Sequence, residues 1–302
     1  MSISHYIKDI GRGKDGARAI DRAQAADLMG QVLDGEVCDL ELGAFCLAMR
    51  IKGETPEEMA GFLDAAHQRL NKVVTGGAPT VVLPSYNGAR KLPVLTPLLA
   101  LLLAREGVAV VVHGSTTEDR RVPAEAVLAE LGIPGSADAH GSVNAQAGQV
   151  RFVRTATLLA GLDRLLSVRR VVGLRNSGHS LVKLMNPCDA PALVVGSYTH
   201  PEYLQSMSAT FALTGQHALL LRGTEGEPVA DARRTPAMDV FRDGQTRRVQ
   251  AQREGSLDQL PDMPAIDPAA TAAYIQQVLR GERAVPEPIA LQVQHILHEV
   301  KP

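Results

Sequence analysis

Paired cations recur along this sequence and are the residues best suited to bind a ligand. Arg90 and Lys91 follow the turn-forming stretch Asn87-Gly88-Ala89, and two adjacent arginine pairs come later in the chain. A guanidinium binds a phosphodiester through two hydrogen bonds, and such contacts read no base sequence. These pairs therefore predict sequence-independent binding of nucleic acid. The candidate residues are Arg90, Lys91, Arg120, Arg121, Arg169, Arg170 and Lys183.

A second group of polar residues follows two apolar runs that we predict to be strands. The runs are 81–83 and 108–112. Ligands bind at the carboxyl ends of the strands in parallel sheets, so residues placed there are expected to line a cleft. For His113 a buried position in the core is the alternative. The cleft candidates are Tyr86, Asn87, Gly88, His113, Gly114, Ser115, Arg175 and Asn186.

Two acids near the end of the predicted sheet are the candidates for a metal site. Glu225 and Glu227 stand close enough in sequence to act as irregular ligands, although solvated loop acids are the reading that we favour. His179 is interpreted as a loop residue. No order of serine, histidine and aspartate and no metal-ligand spacing stands out, so no residue is assigned as catalytic.

The composition is that of an ordinary globular protein. The chain has 302 residues, 45% of them hydrophobic, and a formal net charge of −2, which excludes disorder for most of its length. It has no Trp and only five Tyr and five Phe, so rows of aromatic residues that stack single-stranded bases are not expected. Residues 86–183 carry twelve Lys and Arg against seven Asp and Glu, which indicates a basic surface.

Three cysteines without a CxxC pair are typical of free thiols in a reducing compartment. The N-terminal residues show no signal-peptide pattern, and the longest apolar run, 94–104, contains a proline and is too short to cross a bilayer. We therefore expect a cytoplasmic protein with no membrane partner.

The periodicity predicts two domains. Helices are expected over 21–33, 40–51 and 55–70, with caps at Asp39 and Thr55 for the second and third. Past residue 76, apolar runs at 81–83, 108–112, 192–195 and 218–221 alternate with helical stretches at 94–105, 122–131 and 202–213, which indicates a parallel sheet. The stretches 151–166 and 169–174 also look helical. Residues 224–264 are expected to be loop with a possible hairpin, and two helices follow at 267–280 and 286–300.

The predicted fold class is α/β, with a small all-helical N-terminal domain and a larger α/β domain whose mainly parallel sheet is covered by helices. The domains are expected over residues 1–75 and 76–302, and some helices from the middle of the chain are expected to pack on the helical domain.

The helical domain resembles that of the anthranilate phosphoribosyltransferase family, which has nucleoside phosphorylases as relatives. The resemblance rests on Leu33–Val37, Gly43–Phe45 and Arg50–Gly61, and it returns at Lys183–Pro187. It implies a homodimer formed by the helical domain and an active-site cleft between the two domains. It also implies a glycine-rich pyrophosphate loop after the first strand and carboxylates that hold Mg²⁺.

The motifs of that chemistry are altered here. The family's Gly-Thr-Gly-Gly-Asp stands as Leu83–Asn87, so that bulk at Tyr86 is expected to fill the space of a diphosphate. The family's Lys-His-Gly-Asn motif corresponds to Val112–Ser115 in this chain. The segment that corresponds to the family's acidic pair is Gly223–Pro228, in which the aligned pair is lost. These changes argue against anthranilate phosphoribosyl transfer.

The stretch Pro84–Arg90 is similar to that of the divergent YbiB-type subgroup of the family. That likeness implies a homodimer that binds DNA or RNA without sequence specificity and requires no cofactor. Two alternatives stay open at this point. One is an active phosphoribosyltransferase or nucleoside phosphorylase with an altered substrate, which would use Mg²⁺, and the other is a dimeric scaffold that binds another protein.

Overall fold

The computed structural model describes residues 2–13, 15–115, 120–135, 143–253 and 262–301. It begins with four helices, which are α1 (Ser4–Ile10), α2 (Arg22–Asp34), α3 (Asp39–Lys52) and α4 (Pro56–Arg69). The three helices predicted in this region are confirmed as α2, α3 and α4. The cap predicted at Asp39 is wrong, because Asp39 is the first residue of α3 and Cys38 precedes it as the N-cap. The side chains of Asp21 and Thr55 accept hydrogen bonds from backbone N–H groups of α2 and α4, which fixes where those helices start.

A seven-stranded sheet forms the centre of the larger domain. Its spatial order is β3-β2-β1-β4-β5-β6-β7, and β1 to β5 run parallel while β6 and β7 form an antiparallel hairpin. The predicted parallel sheet is therefore confirmed, as is the hairpin. The strands are β1 (Thr80–Pro84), β2 (Ala109–Gly114), β3 (Val150–Arg154), β4 (Leu193–Tyr198), β5 (Ala218–Arg222), β6 (Met238–Arg242) and β7 (Gln245–Gln250).

Both faces of the sheet are buried, each in a different core. Along β1, Val82 faces the core shared with the helical domain, whereas Val81 and Leu83 face the core on the other side. The second core is closed by α5 (Thr96–Arg105), α6 (Ala124–Glu130), α12 (Pro268–Leu279) and α13 (Glu287–Val300). The helix α11 (Pro201–Thr214) covers the first core, which confirms a sheet covered by helices.

Short helices in the middle of the chain bridge the two domains. They are α7 (Thr155–Leu158), α8 (Ala160–Ser167), α9 (Arg169–Val172) and α10 (Gly178–Leu181). A Cβ at Gly161 would overlap the carbonyl oxygen of Leu33, so α8 packs directly on the end of α2. Because α9 and α10 continue from this anchored helix, the helical domain fixes the position of residues 169–181.

The helix expected over 151–166 is wrong for its first residues. Residues 150–154 form β3, because Phe152 and Val153 pair with Val112 and His113 of β2 and complete the edge of the sheet. The short 3-10 helix Thr224–Gly226 follows β5 within the predicted loop region. In the part of the chain that the structure describes, no helix has the length and apolar character that a membrane span requires.

Candidate functional site

The loop that follows β1 is closed by a carboxylate from another part of the chain. Glu227 accepts hydrogen bonds from the backbone N–H groups of Asn87 and Gly88, each at 2.8 Å. It also accepts hydrogen bonds from Thr96 Oγ1 at 2.9 Å and from the hydroxyl of Ser85. Glu227 is only 1% exposed, so the expectation of a solvated loop acid is wrong for this residue.

Glu225 binds the next stretch of the same loop. Its carboxylate accepts the backbone N–H groups of Arg90 at 2.8 Å, Lys91 at 3.0 Å and Leu92 at 3.3 Å. The residue has a φ of 52°, a left-handed conformation that is uncommon outside glycine and that turns the side chain toward this loop. Glu225 therefore binds backbone amides while its side chain remains partly exposed.

These contacts are unsuited to the binding of Mg²⁺ by Glu225 and Glu227. A divalent cation needs carboxylate oxygens whose lone pairs point at one shared position. The oxygens of Glu225 and Glu227 accept hydrogen bonds from N–H and O–H donors instead. Within the described ranges, no group of three or more His, Cys, Asp or Glu residues is placed to hold a metal ion. The residues present therefore do not fit Mg²⁺.

Tyr86 points into the core rather than into the cleft. Its hydroxyl lies 2.7 Å from His113 Nδ1 and 2.9 Å from Thr155 Oγ1, and both aromatic side chains are buried. Burial raises the pKa of Tyr86 and lowers that of His113 to about 3, so both groups are neutral. The expectations that Tyr86 fills the space of a diphosphate and that His113 faces the cleft are wrong, because the two side chains are hydrogen-bonded to each other inside the protein.

The remaining cleft candidates occupy different places. A Cβ at Gly114 would overlap the carbonyl oxygen of Ser85, so this glycine allows the ends of β1 and β2 to approach closely. Ser115 is partly buried beside it. Asn186 accepts from Cys188 N at 3.0 Å and donates to Ala190 O at 3.2 Å, so its side chain stabilises a turn. Asn186 does not line the cleft, which corrects its assignment.

A cleft of about 550 Å³ does lie between the helical domain and the carboxyl edge of the sheet. Arg175, Lys183 and Asn87 line it, as expected for three of the candidates. His179 also lines it and is only 9% exposed, so its interpretation as a loop residue is wrong. Lining residues that the sequence analysis missed are Arg50, Glu54, Ser197 and Tyr203. Arg50 and Glu54 stand inside the motif Arg50–Gly61, which was the available signal.

Lys183 connects the cleft to the loop that carries Glu227. Its ammonium group donates to Gly226 O at 2.8 Å and to Ser197 O at 3.3 Å. The pKa of Lys183 is lowered to about 8, mainly by burial; Glu227 opposes this change, and the nearby charges of Arg175 and Arg121 contribute to it. At neutral pH the residue therefore carries its positive charge inside the cleft wall.

Several cations lie close enough to repel one another. Burial lowers the pKa values of Arg121 and Arg175, and neighbouring cations add to this effect, with Arg175 and Arg90 acting on Arg121. The pKa of Arg169 is lowered by burial and by Arg175 in the same way. We call these residues the cation cluster, which comprises Arg90, Arg121, Arg169, Arg175 and Lys183.

The other predicted cations surround this cluster. Lys91, Arg120 and Arg170 are exposed, and Lys91 directly follows Arg90 on the loop that Glu225 binds. Arg170 lies near Asp163, since its charge lowers the pKa of that acid against the larger effect of burial. The structure therefore brings four of the seven predicted nucleic-acid-binding residues, together with Arg175, into one electrostatic cluster.

Comparison with known proteins gives consistent results over the whole chain. The family description "Glycosyl transferase family, helical bundle domain" matches residues 4–69. The protein YbiB of Escherichia coli strain K12 is 39% identical over 97% of this chain and 92% of its own length. The anthranilate phosphoribosyltransferase of Anaeromyxobacter dehalogenans strain 2CP-C is 28% identical over 96% of this chain and 86% of the relative.

Solved structures show the same fold. The anthranilate phosphoribosyltransferase of Thermus thermophilus aligns with a TM-score of 0.73 at 22% identity, covering 97% of this chain and 87% of that one. The enzyme of Saccharomyces cerevisiae in complex with PRPP and Mg aligns with a TM-score of 0.68 at 14% identity, covering 99% and 86%. These likenesses support the two-domain arrangement described above.

The inward position of Tyr86 makes its hydroxyl a stabilising group. The substitution Tyr86→Phe leaves two buried partners, His113 Nδ1 and Thr155 Oγ1, without that hydroxyl. We expect a loss of about 1–3 kcal/mol in the free energy of unfolding, measured with urea. The control Tyr203→Phe removes a hydroxyl from the cleft, where it lies 3.4 Å from Arg50, and should cost about 0.5 kcal/mol or less. An equal effect of the two substitutions would contradict the assignment.

The lowered pKa of Lys183 predicts a pH dependence of stability. Between about 8, its folded value, and 10.5, its ordinary value, the unfolded chain binds more protons than the folded chain. Lys183 therefore makes the free energy of unfolding rise with pH in this window. The substitution Lys183→Met removes that contribution. We expect the unfolding free energy of the wild type, relative to the variant, to increase from pH 8 to pH 10 in urea titrations, and a constant difference would contradict this.

Proposed function

This chain belongs to the anthranilate phosphoribosyltransferase-like family, and we propose that it is a homodimer that binds nucleic acid without sequence specificity. The observation that carries the proposal is the cation cluster, of which Arg175 and Lys183 line the cleft. A group of neighbouring cations attracts a polyanion. The phosphate backbone of DNA or RNA supplies such a polyanion at regular spacing.

The character of the cations supports backbone contacts over base recognition. Four of the five members of the cation cluster are arginines, which bind phosphate through two hydrogen bonds. Lys91, Arg120 and Arg170 are exposed and therefore accessible to such a polyanion. Contacts of this kind position a nucleic acid but do not select its sequence. We propose no cofactor for this binding.

The loop after β1 gives a reason against phosphoribosyl transfer. Phosphate groups bind to backbone N–H groups, and those of Asn87 and Gly88 already donate to Glu227. The N–H groups of Arg90 and Lys91 already donate to Glu225. The pyrophosphate of an activated sugar would have to displace both carboxylates and overcome their negative charges.

An active glycosyltransferase with an altered substrate is the second candidate function. The cleft of about 550 Å³ favours it, because a cavity of this size suits a small molecule. The similarity to anthranilate phosphoribosyltransferases also favours it. Mg²⁺ would be needed only for this candidate, and the contacts of Glu225 and Glu227 do not suit that ion. We therefore prefer the nucleic-acid-binding function.

A row of exposed apolar residues on α3 supports the homodimer. Leu40, Leu47 and Ile51 are 83%, 46% and 57% exposed, and their spacing places them on one face of the helix. On α9, which follows the helix that packs on α2, Val171 is 89% exposed. Large apolar side chains in such a row are typical of a surface that is buried by a partner. We propose that a second copy of this chain covers the row on α3.

Charge reversal on the loop after β1 tests the binding function. In the double substitution Arg90→Glu and Lys91→Glu the backbone amides that bind Glu225 are kept, so the loop should hold its shape. We expect affinity for two oligonucleotides of unrelated sequence to fall equally, by about tenfold or more. We also expect the slope of log affinity against log salt concentration to become shallower by about one unit for each cation replaced. Fluorescence anisotropy over a salt series measures both quantities.

The matched control is the pair Arg280→Glu and Arg283→Glu, which changes the net charge by the same amount outside the cation cluster. It should leave affinity nearly unchanged. Binding that is absent in the wild type, insensitive to salt, or weakened equally by both pairs would refute the proposed function.

The homodimer is tested on α3. The substitution Leu47→Glu, alone or with Ile51→Glu, places charge in the exposed apolar row and should yield a monomer by light scattering coupled to size exclusion. Leu213→Glu on α11 is the control, because Leu213 is 44% exposed and lies outside the row. A wild-type monomer, or a dimer that survives both α3 substitutions, would contradict this interface.

A further inference from the structure

Three aromatic side chains lie on one wall of the cleft. Tyr198 ends β4, His200 precedes α11, and Tyr203 lies in the first turn of that helix. All three line the cleft, and none of them is fully buried. The low aromatic content of the chain predicts no stacking surface, yet two of its five tyrosines stand together here.

The rings of His200 and Tyr203 do not stack on each other. Their centroids are 6.5 Å apart, and their planes meet at 48°. His200 is exposed, and Tyr198 and Tyr203 are partly exposed. Aromatic side chains in a groove stack on the π-face of a nucleobase, and this contact tolerates every base. The aromatic wall is therefore suited to a base and selects no sequence.

Two arginines lie next to Tyr203. Arg50 Nη1 is 3.4 Å from the hydroxyl of Tyr203. The pKa of Arg175 is lowered mainly by burial, and Tyr203 opposes this change, so the phenol and the guanidinium lie near each other. A strand whose base stacks on Tyr203 would therefore have cations near its phosphates.

A cation also lies near Tyr198. Arg222 pairs with Tyr198 across β4 and β5, and it is exposed. The pKa of Tyr198 is raised by burial and by Asp239, while the charges of Arg222 and Arg248 oppose this change. Side chains that can bind phosphate are thus present near both tyrosines.

The acids and the size of the cleft favour a base over a phosphate or a duplex. Glu202 lines the cleft and is exposed, so its negative charge repels a phosphate group there. Carboxylate oxygens accept hydrogen bonds from the amino groups of base edges. The volume of about 550 Å³ suits a small group and not a double helix, whose bases are paired and stacked inside it.

We propose that Tyr198, His200 and Tyr203 bind an unpaired base of single-stranded DNA or RNA by stacking, while the arginines near them bind its backbone. This rests on the proposed function, because the cations supply the attraction that brings the strand to the cleft. Stacking releases no counterions, so the aromatic residues add affinity that salt does not weaken.

The test compares Tyr203→Leu with the wild type on oligothymidylate, on an abasic strand of equal length and on a duplex. We expect Tyr203→Leu to lower the affinity for oligothymidylate by about fivefold or more, because it removes a stacking ring. The slope of log affinity against log salt concentration should stay the same. Affinity for the abasic strand and for the duplex should not fall, since neither offers an unpaired base. Fluorescence anisotropy over a salt series measures these quantities.

Two further variants separate stacking from other effects. Tyr203→Phe keeps the ring and should retain most of the affinity for oligothymidylate. His200→Ala removes an exposed side chain, so the fold should be kept, and it should weaken binding to oligothymidylate alone. Its control is His298→Ala, which removes an exposed histidine from α13, outside the cleft, and should change no affinity.

The proposal is overturned if Tyr203→Leu and His200→Ala bind oligothymidylate as tightly as the wild type. It is also overturned if they weaken binding to the abasic strand as much as to oligothymidylate. Should Tyr203→Leu fail to fold, His200→Ala decides by the same criteria. A wild type that binds all three probes in a salt-dependent way keeps the proposed function whatever the variants do, whereas one that binds none of them refutes both proposals.

Discussion

The buried carboxylate of Glu227 is the interaction on which the carboxyl edge of the sheet depends. It joins the loop after β1 to the loop after β5 through two backbone N–H groups and two hydroxyls. A buried charge is tolerated only when it is paired or fully hydrogen-bonded, and these donors meet that need. Because β1 and β5 lie on either side of β4, the carboxylate fixes the relative position of two loops across the intervening strand.

The same carboxylate moderates the positive charge around it. Glu227 raises the pKa of Lys183 against the effects of burial and of Arg175, and both Glu225 and Glu227 raise the pKa of Arg121. The two acids therefore act as internal counterions for part of the cation cluster. The pKa values of Arg169 and Arg175 are lowered mainly by burial, and neighbouring cations add to this effect.

The sequence was sufficient for features that depend on neighbouring residues. The cap at Thr55 acts over three residues, and the apolar runs of the parallel strands are continuous, so the helix α4 and the sheet were predictable. It was insufficient where the partner is distant in sequence. The direction of Tyr86 depends on His113 and Thr155, and the role of Glu227 depends on amides about 140 residues earlier. A pattern of residue types carries no information about such pairings.

The first core runs without interruption from the helical domain into the sheet. It contains Phe45 and Met49 of α3 together with Val82 of β1 and Val194 of β4. Across the cleft, Ser177 donates a hydrogen bond to Glu54, and Arg50 contacts Tyr203. Two lobes that share one apolar interior cannot swing apart without exposing it to water. Under the proposed function, a nucleic acid would therefore follow a surface of fixed shape, and its binding would not require the two lobes to open.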